Sequence, residues 1–307
     1  MNKITVLGSL NMDLVINTPR IPAMGETIHG QGFATFPGGK GANQAVAAAK
    51  LGGDVEMIGC VGEDSFGKDL IGNLTKNNVK VENIRTIPGT STGIAVIVVK
   101  DGNNFIILDS GANFKLQPEV VDKALDIIKN SDIIMLQHEI PMEVVEMAVR
   151  TAKDYGVKVL LNPAPARALS DELLSQIDIL TPNESECEII TGISIKSVSD
   201  AENAVRYLMD KKIKQVVITL GSQGVVYNRG NEIVHKPVPE VKVVDTTAAG
   251  DSFSGALAVA LSNNMTIDEA VDFANIVGTI TVTRKGAQSS LPLLSEVDDF
   301  IIGHNEE

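Results

Sequence analysis

Residues 133–161 read IIMLQHEIPMEVVEMAVRTAKDYGVKVLL. Ile133–Leu136 is a continuous apolar run, residues 142–155 read as a helix, and Lys158–Leu161 returns to an apolar strand. Apolar runs of this length belong to strands covered by helices on both faces. The same alternation extends outward. A helix over 118–129 precedes Ile133–Leu136, and a helix over 201–210 leads to a strand at Gln215–Thr219. Upstream, a strand at residues 4–7 ends at Gly8, an Ala-rich helix covers 42–51, and a further strand covers 55–61. Alternating β and α units predict an α/β fold: a three-layer α/β/α sandwich around a mostly parallel sheet.

Two segments depart from that rhythm. Residues 14–36 are short strands and Gly/Pro-punctuated turns, and residues 92–99 and 105–108 form a hairpin around Asp101-Gly102-Asn103-Asn104. They predict a small separate sheet over one edge of the sandwich, placed as a lid for a ligand cleft. A single domain spanning residues 1–307 is expected, with the lid sheet as a surface on which two copies pair.

Composition narrows the function. The chain is 44% hydrophobic and 21% charged, as in globular proteins, and its 4% aromatic content without Trp demands an aliphatic core. A formal net charge of -13 repels phosphate backbones and argues against nucleic-acid binding. A local anion pocket survives this balance, because backbone amides at a helix start need no basic side chain. Cys60 and Cys187 form no C-x-x-C pair and read as reduced thiols. The N-terminal residues read as a strand rather than a signal peptide, and no apolar run approaches membrane-spanning length. No membrane association and a cytoplasmic location are expected.

Two phosphate motifs are mimicked and fail. Gly62-Glu63-Asp64-Ser65-Phe66-Gly67-Lys68-Asp69 ends in Asp where a P-loop needs Ser or Thr, and carries acids where anions would sit. Gly39-Lys40-Gly41-Ala42-Asn43-Gln44 lacks the last glycine of a dinucleotide fingerprint and lies too far from the first strand. The strongest segment is Val243-Val244-Asp245-Thr246-Thr247-Ala248-Ala249-Gly250-Asp251-Ser252-Phe253-Ser254-Gly255. A strand runs through small residues into an Ala-rich helix, whose first amides form an anion cradle with Asp251 inside it. Capping and proton acceptance both remain open for Asp251 on these grounds.

This segment resembles the C-terminal signature of the ribokinase-like carbohydrate kinases. Pro37-Gly38-Gly39-Lys40-Gly41-Ala42-Asn43-Gln44-Ala45 resembles their N-terminal one. The likeness continues in order along nearly the whole chain. It takes in Gly8-Ser9-Leu10-Asn11-Met12-Asp13, Asn162-Pro163-Ala164-Pro165-Ala166-Arg167, Thr181-Pro182-Asn183-Glu184-Ser185-Glu186, Thr219-Leu220-Gly221-Ser222-Gln223-Gly224 and Val282-Thr283-Arg284-Lys285-Gly286-Ala287-Gln288. The Gly-Gly-Lys-Gly-Ala-Asn and Asn-Pro-Ala-Pro-Ala-Arg forms, and Ala248 in place of a glycine, match the family's ribokinase branch.

The resemblance implies ATP-dependent phosphorylation of D-ribose at its 5-hydroxyl, giving ribose 5-phosphate and ADP. Asp251 would be the catalytic base, and the amides of Ala248, Ala249 and Gly250 the anion hole. Asn11, Asp13, Gly39, Lys40, Asn43 and Glu139 would hold the sugar. Asn183 and Glu186 would act near the phosphates and the water shell of Mg2+. Thr219, Leu220, Gly221, Ser222, Gln223 and Gly224 would carry ATP, with Gly250 at its phosphates and Asn275 near its adenine. A K+ site would use Asp245 and oxygens of Thr247, Thr281, Arg284, Gly286 and Ser290. The partners implied are a sugar, ATP and a second copy of the chain. Alternatives are a kinase for deoxyribose, another pentose or a nucleoside, and a non-catalytic sugar-binding protein that kept the fold.

Overall fold

The computed structural model of the protein describes residues 2–100 and 103–304. The chain begins with β1 (Lys3–Leu7), β2 (Asn11–Asn17) and β3 (Gln31–Gly38). Helix α1 (Lys40–Lys50), β4 (Asp54–Gly62), α2 (Ser65–Lys76) and β5 (Lys80–Ile87) follow. Then come β6 (Gly93–Lys100) and β7 (Asn103–Asp109). The alternating region runs through α3 (Glu119–Lys123), α4 (Leu125–Ile128), β8 (Ile133–Leu136), α5 (Met142–Asp154), β9 (Lys158–Leu161), α6 (Asp171–Leu174) and β10 (Ile179–Leu180). It continues through α7 (Glu184–Thr191), α8 (Val198–Asp210) and β11 (Gln215–Thr219). The hairpin β12 (Val225–Arg229) and β13 (Glu232–Lys236) precedes α9 (Ala249–Ser262), α10 (Ile267–Val282) and α11 (Leu294–His304).

Among the described residues the main sheet has nine strands, ordered β13-β12-β11-β10-β9-β8-β1-β4-β5. Strands β5 to β11 of that sheet pair in parallel, and β12 and β13 close one edge antiparallel. The pleat divides the apolar runs between two helix layers. Ile133 and Met135 pack with α1, α9 and α10 residues such as Ala45, Val259 and Val271. Ile134 and Leu136 pack on the other side with Val145 of α5 and Leu208 of α8. Each fully buried aliphatic side chain of this kind contributes about 1.5–3 kcal/mol. The parallel sandwich expected from sequence is therefore the observed one.

The lid sheet is also present, four-stranded and ordered β3-β2-β6-β7. Strands β2 and β6 pair in parallel at its centre, with antiparallel strands outside. Residues 18–30 of the expected 14–36 segment lie outside its strands, and the turn at Asp101 and Gly102 lies outside the described residues. Phe33, Phe36, Ile106 and Ile107 are exposed on this sheet, with the consecutive Ile106 and Ile107 on opposite faces.

One expectation is corrected: the helix expected over 118–129 breaks at Ala124 (φ -98°, ψ 9°) into α3 and α4. The far edge of the mostly parallel sheet is the antiparallel hairpin of β12 and β13. Residues 62–67 run from the end of β4 through a short bend into the start of α2. There Asp64 caps α2 by accepting from the Gly67 amide at 2.8 Å, and also accepts from the Thr92 amide at 2.7 Å. The acid that disqualified a P-loop thus ties α2 to the root of the lid sheet. Both cysteines are free and buried, and burial pushes each thiol up to about 12. Among the described residues no helix is long and apolar enough to cross a membrane.

Candidate active site

The carboxyl ends of parallel strands carry ligand sites in open α/β sheets, and here the loops after β1, β8, β9, β10 and β11 meet α1 and α9 at that end. Lys40, Asn162, Thr181, Asn183, Glu186 and Thr219 line a cleft together with Thr246, Ala248, Ala249, Gly250, Asp251 and Ser254.

Asp251 lies in the first turn of α9 and is buried. Its Oδ2 accepts from Asn43 Nδ2 at 2.9 Å and its Oδ1 from Gln44 Nε2 at 3.1 Å. It caps no helix amide, so the capping alternative is not what the structure shows. Ala248 is the N-cap and takes a left-handed backbone (φ 61°, ψ 11°), which turns the chain sharply into α9. The Ala249 amide donates to the Thr246 carbonyl at 3.2 Å, closing that turn. Among the described residues the amides of Ala248 and Gly250 have no protein acceptor and remain for an anion at the positive end of the helix.

The expected sugar residues adjoin this point. Gly39 (φ 89°) caps α1, and a Cβ there would lie 2.6 Å from the Asn11 amide, so only glycine brings the two segments together. Glu139, just past β8, is no surface loop acid. Its Oε2 accepts from the Ser9 hydroxyl at 2.5 Å, the Lys40 amide at 3.2 Å and Asn11 Nδ2 at 3.3 Å. Asn113 fixes Asn11 from behind by donating to its Oδ1 at 2.7 Å. Burial, and then Glu139 and Asp251, push the Asp13 carboxyl up to about 7. Burial alone would lower the Lys40 ammonium, but Asp251, Glu139 and Glu186 around it hold it above its usual value.

Asn183 and Glu186 form a capping box on α7. Asn183 Oδ1 accepts from the Glu186 amide at 2.8 Å, and Glu186 Oε2 from the Asn183 amide at 2.9 Å. The pair still lines the cleft, and burial followed by Asp251 raises the Glu186 carboxyl despite Lys40. Thr219 is drawn beside Asn183 by donation of its amide to the Pro182 carbonyl at 3.0 Å. Leu220 is buried, and Gly221, Ser222, Gln223 and Gly224 form a tight turn closed by the Leu220 amide on the Gly224 carbonyl at 2.8 Å. Asn275 is buried on α10 and does not line the cleft.

Of the residues expected around a monovalent cation, Asp245, Thr247 and Gly286 are joined directly. Asp245 Oδ1 accepts from the Thr247 amide and hydroxyl at 2.9 and 2.7 Å, and Oδ2 from the Gly286 amide at 2.9 Å. Burial alone would raise this carboxyl, but these donors hold it below the usual range. The side chains of Thr281, Arg284 and Ser290 turn elsewhere, to Val277, Glu296 and Ala287. A shared ion would therefore meet their backbone carbonyls. Among the described residues no three His, Cys, Asp or Glu side chains gather as a metal-binding group.

Sequence reasoning passed over Ser9, Gln44, Asn113, Thr246 and Ser254. Ser9, Gln44, Thr246 and Ser254 stood inside quoted motifs, but nothing local marks the Gln44 amide as facing Asp251 or the Ser254 hydroxyl as facing Thr181.

Comparison with known proteins agrees with this geometry. Residues 1–294 match the family described as pfkB family carbohydrate kinase. A ribokinase of Haemophilus influenzae is 46% identical over 300 residues, covering 97% of this chain and 98% of its own. A deoxyribokinase of Salmonella typhimurium is 37% identical over 300 residues, covering 97% and 98%. The solved structure of Arabidopsis thaliana ribokinase complexed with ribose and ATP superposes with a TM-score of 0.92 at 36% identity, covering 97% of this chain and 98% of that one. The chain belongs to the pfkB family of carbohydrate kinases.

Proposed function

We propose that this protein phosphorylates D-ribose at its 5-hydroxyl, using ATP and releasing ribose 5-phosphate and ADP. The observation that carries the reading is Asp251, a buried carboxylate set beside acceptor-free amides at the start of α9. That arrangement puts a proton acceptor and an anion site within one helix turn. Asp251 takes the hydroxyl proton as the sugar oxygen bonds to the γ-phosphorus and ADP leaves. The amides of Ala248 and Gly250, with Ala249 behind them, hold the transferred group's charge. Asn11, Asp13, Gly39, Lys40, Asn43 and Glu139 position the ribose, with Asp13 and Glu139 as acceptors for its hydroxyls. The relatives named ribokinase, and the neighbour solved with ribose and ATP, support this substrate pair.

Thr219 to Gly224 receive the nucleotide phosphates and ribose. Asn183 and Glu186 face the phosphate side of the cleft, where Mg2+ accompanying ATP neutralises charge and keeps most of its waters. Asp245 with the carbonyls of Thr247, Thr281, Arg284, Gly286 and Ser290 is an oxygen-only set with a single acid, which fits K+. By tying Thr247 to Gly286, Asp245 braces the turn that aims Ala248. The exposed apolar face of the lid sheet pairs two copies into a homodimer.

The reading is tested first by ADP release against ribose, 2-deoxyribose, fructose and adenosine, with no-sugar controls. Ribose should be preferred. Turnover of deoxyribose instead would move the chain toward its deoxyribokinase relatives, and no turnover would favour a binding protein. Asp251→Asn should retain ribose binding while losing about 10²–10⁴-fold in kcat; a near-parental rate would remove it as base.

Asp13 accepts hydrogen bonds from two hydroxyls with both oxygens only as the carboxylate, and burial, then Glu139 and Asp251, push it up to about 7 in the free protein. Ribose therefore binds with proton release on the acid side. Its affinity should fall by up to about tenfold per pH unit well below that value and level off above it. Calorimetry in buffers of different ionisation heat reads the released proton directly, and a pH-independent affinity would exclude the role given to Asp13. Activity in potassium should exceed that in sodium at equal ionic strength, whereas equal rates would remove the cation site. Ile107→Asp should convert a dimer to a monomer in sedimentation, and a monomeric parent would dispose of the pairing.

A further inference from the structure

Two strings of side-chain amides converge on Asp251. In the first, Gln137 Nε2 donates to Gln44 Oε1 at 2.6 Å, and Gln44 Nε2 donates to Asp251 Oδ1 at 3.1 Å. In the second, Asn73 Nδ2 donates to Gln288 Oε1 at 2.5 Å, Gln288 Nε2 to Asn43 Oδ1 at 3.1 Å, and Asn43 Nδ2 to Asp251 Oδ2 at 2.9 Å. Gln44, Gln137, Asn43, Gln288 and Asp251 are all buried.

A primary amide can present either its oxygen or its nitrogen, so the direction of each string needs an anchor. The first has one in the backbone. The Thr181 carbonyl can only accept, and it takes Asn162 Nδ2 at 2.9 Å. Asn162 must then show Oδ1 to Gln44, which meets it with the same Nε2 at 3.1 Å. Gln44 has its nitrogen committed to Asn162 and Asp251, so its oxygen faces Gln137 and requires a donor there. Gln137 supplies it and leaves its own Oε1 buried without a partner. An unmade buried hydrogen bond is costly. The fold carries that penalty at Gln137, whose nitrogen is turned to meet the Gln44 oxygen.

We propose that Gln44 is a positioning residue for the phosphoryl transfer. It acts through Asp251 and touches neither sugar nor nucleotide. With both carboxylate oxygens held by separate donors, rotation about the Asp251 Cβ–Cγ bond is blocked, and the oxygens' remaining lone pairs keep one direction toward the cleft. Removing the Gln44 donor leaves Asp251 held at a single oxygen. The inference rests on Asp251 being the base.

The experiment compares Gln44→Met, Gln44→Glu and Asp251→Asn in the full chain, with kcat, the KM of ribose and ATP, and the thermal midpoint measured for each. Gln44→Met keeps length and loses the donor. It should lower kcat about 10- to 100-fold while both KM values stay within about threefold, the pattern of a misaimed reacting group. Gln44→Glu faces two acceptors, Asp251 and Asn162, and can donate to one of them only when protonated. Its rate relative to the parent should therefore be best at acid pH and decline as pH rises, a profile that loss of packing would not produce. Gln44→Glu also keeps the question answerable if Gln44→Met does not fold. A folded Gln44→Met with parental kcat, or a Gln44→Glu rate with the parent's pH profile, overturns the proposal. An inactive Asp251→Asn beside a fully active Gln44→Met would sink the positioning role alone, whereas an active Asp251→Asn would sink the base reading and this inference with it.

Discussion

The contact between α1 and α9 is the constraint on which the site depends. A Cβ at Gly255 would lie 2.8 Å from the Ala47 Cβ and 3.0 Å from the Gln44 carbonyl, so the two helices meet almost backbone to backbone. The alanines of both helices leave room for that approach. It brings the first turn of α9 onto the first turn of α1, and only at that spacing do side chains as short as Asn43 and Asp251 touch. Neighbours in sequence on a helix point about 100° apart and do not ordinarily share a partner. Asn43 and Gln44 do so here because the carboxylate of Asp251 spans the gap, one oxygen to each.

The electrostatics follow from the same crowding. Glu139, Glu186 and Asp251 surround one ammonium, Lys40, and Asp13 adds a further acid beside Glu139 and Asp251, in a protein whose formal charge is already -13. Such a pocket does not attract a polyphosphate through net charge. Attraction would have to come from oriented dipoles, the amides at the start of α9, and from counter-ions arriving with a nucleotide. The acids Asp13 and Glu139 suit a neutral polyol instead, because carboxylates accept from hydroxyl groups.

The legible part of the fold was the part with simple repetition. Ile133–Leu136, Lys158–Leu161 and Gln215–Thr219 have unbroken apolar centres because helices cover both faces, and their bounds match the structure. Strand β5 escaped notice because it is an edge strand whose sequence, KVENIRTI, mixes exposed polar residues with half-buried ones. Helix α2 carries two glycines in twelve residues and lay inside a false phosphate motif. Strand β10 has two residues, too few for any pattern. Within the site, Asp251, Lys40 and Asn43 were legible because their motifs resemble a family's. Glu139 was less so, since a lone acid after a strand has no signature until Ser9 and Asn11 are seen to point at it. The amides behind Asp251 had none at all, because Asn73, Gln137 and Gln288 become neighbours only through the fold.

The position of the lid sheet explains why the sugar residues divide as they do. Asn11 opens β2 and is fixed at the root of that sheet by Asn113 and by Gly93, where a Cβ would press into the side chains of both. Glu139 then joins Asn11 to the Lys40 amide, so the root of the lid is bonded to the sandwich. Asp13 lies two residues further along β2, on the same face by the strand's period, with no such tie. A sugar meeting Asp13, Glu139 and Asp251 together would bridge the sheet and the sandwich. Burial first, and then Glu139 and Asp251, hold the Asp13 carboxyl up in the free protein. Hydroxyl donors reaching it would stabilise the charged form against all three, so a ligand that bridges sheet and sandwich gains most at the one acid of β2 that the fold leaves untied.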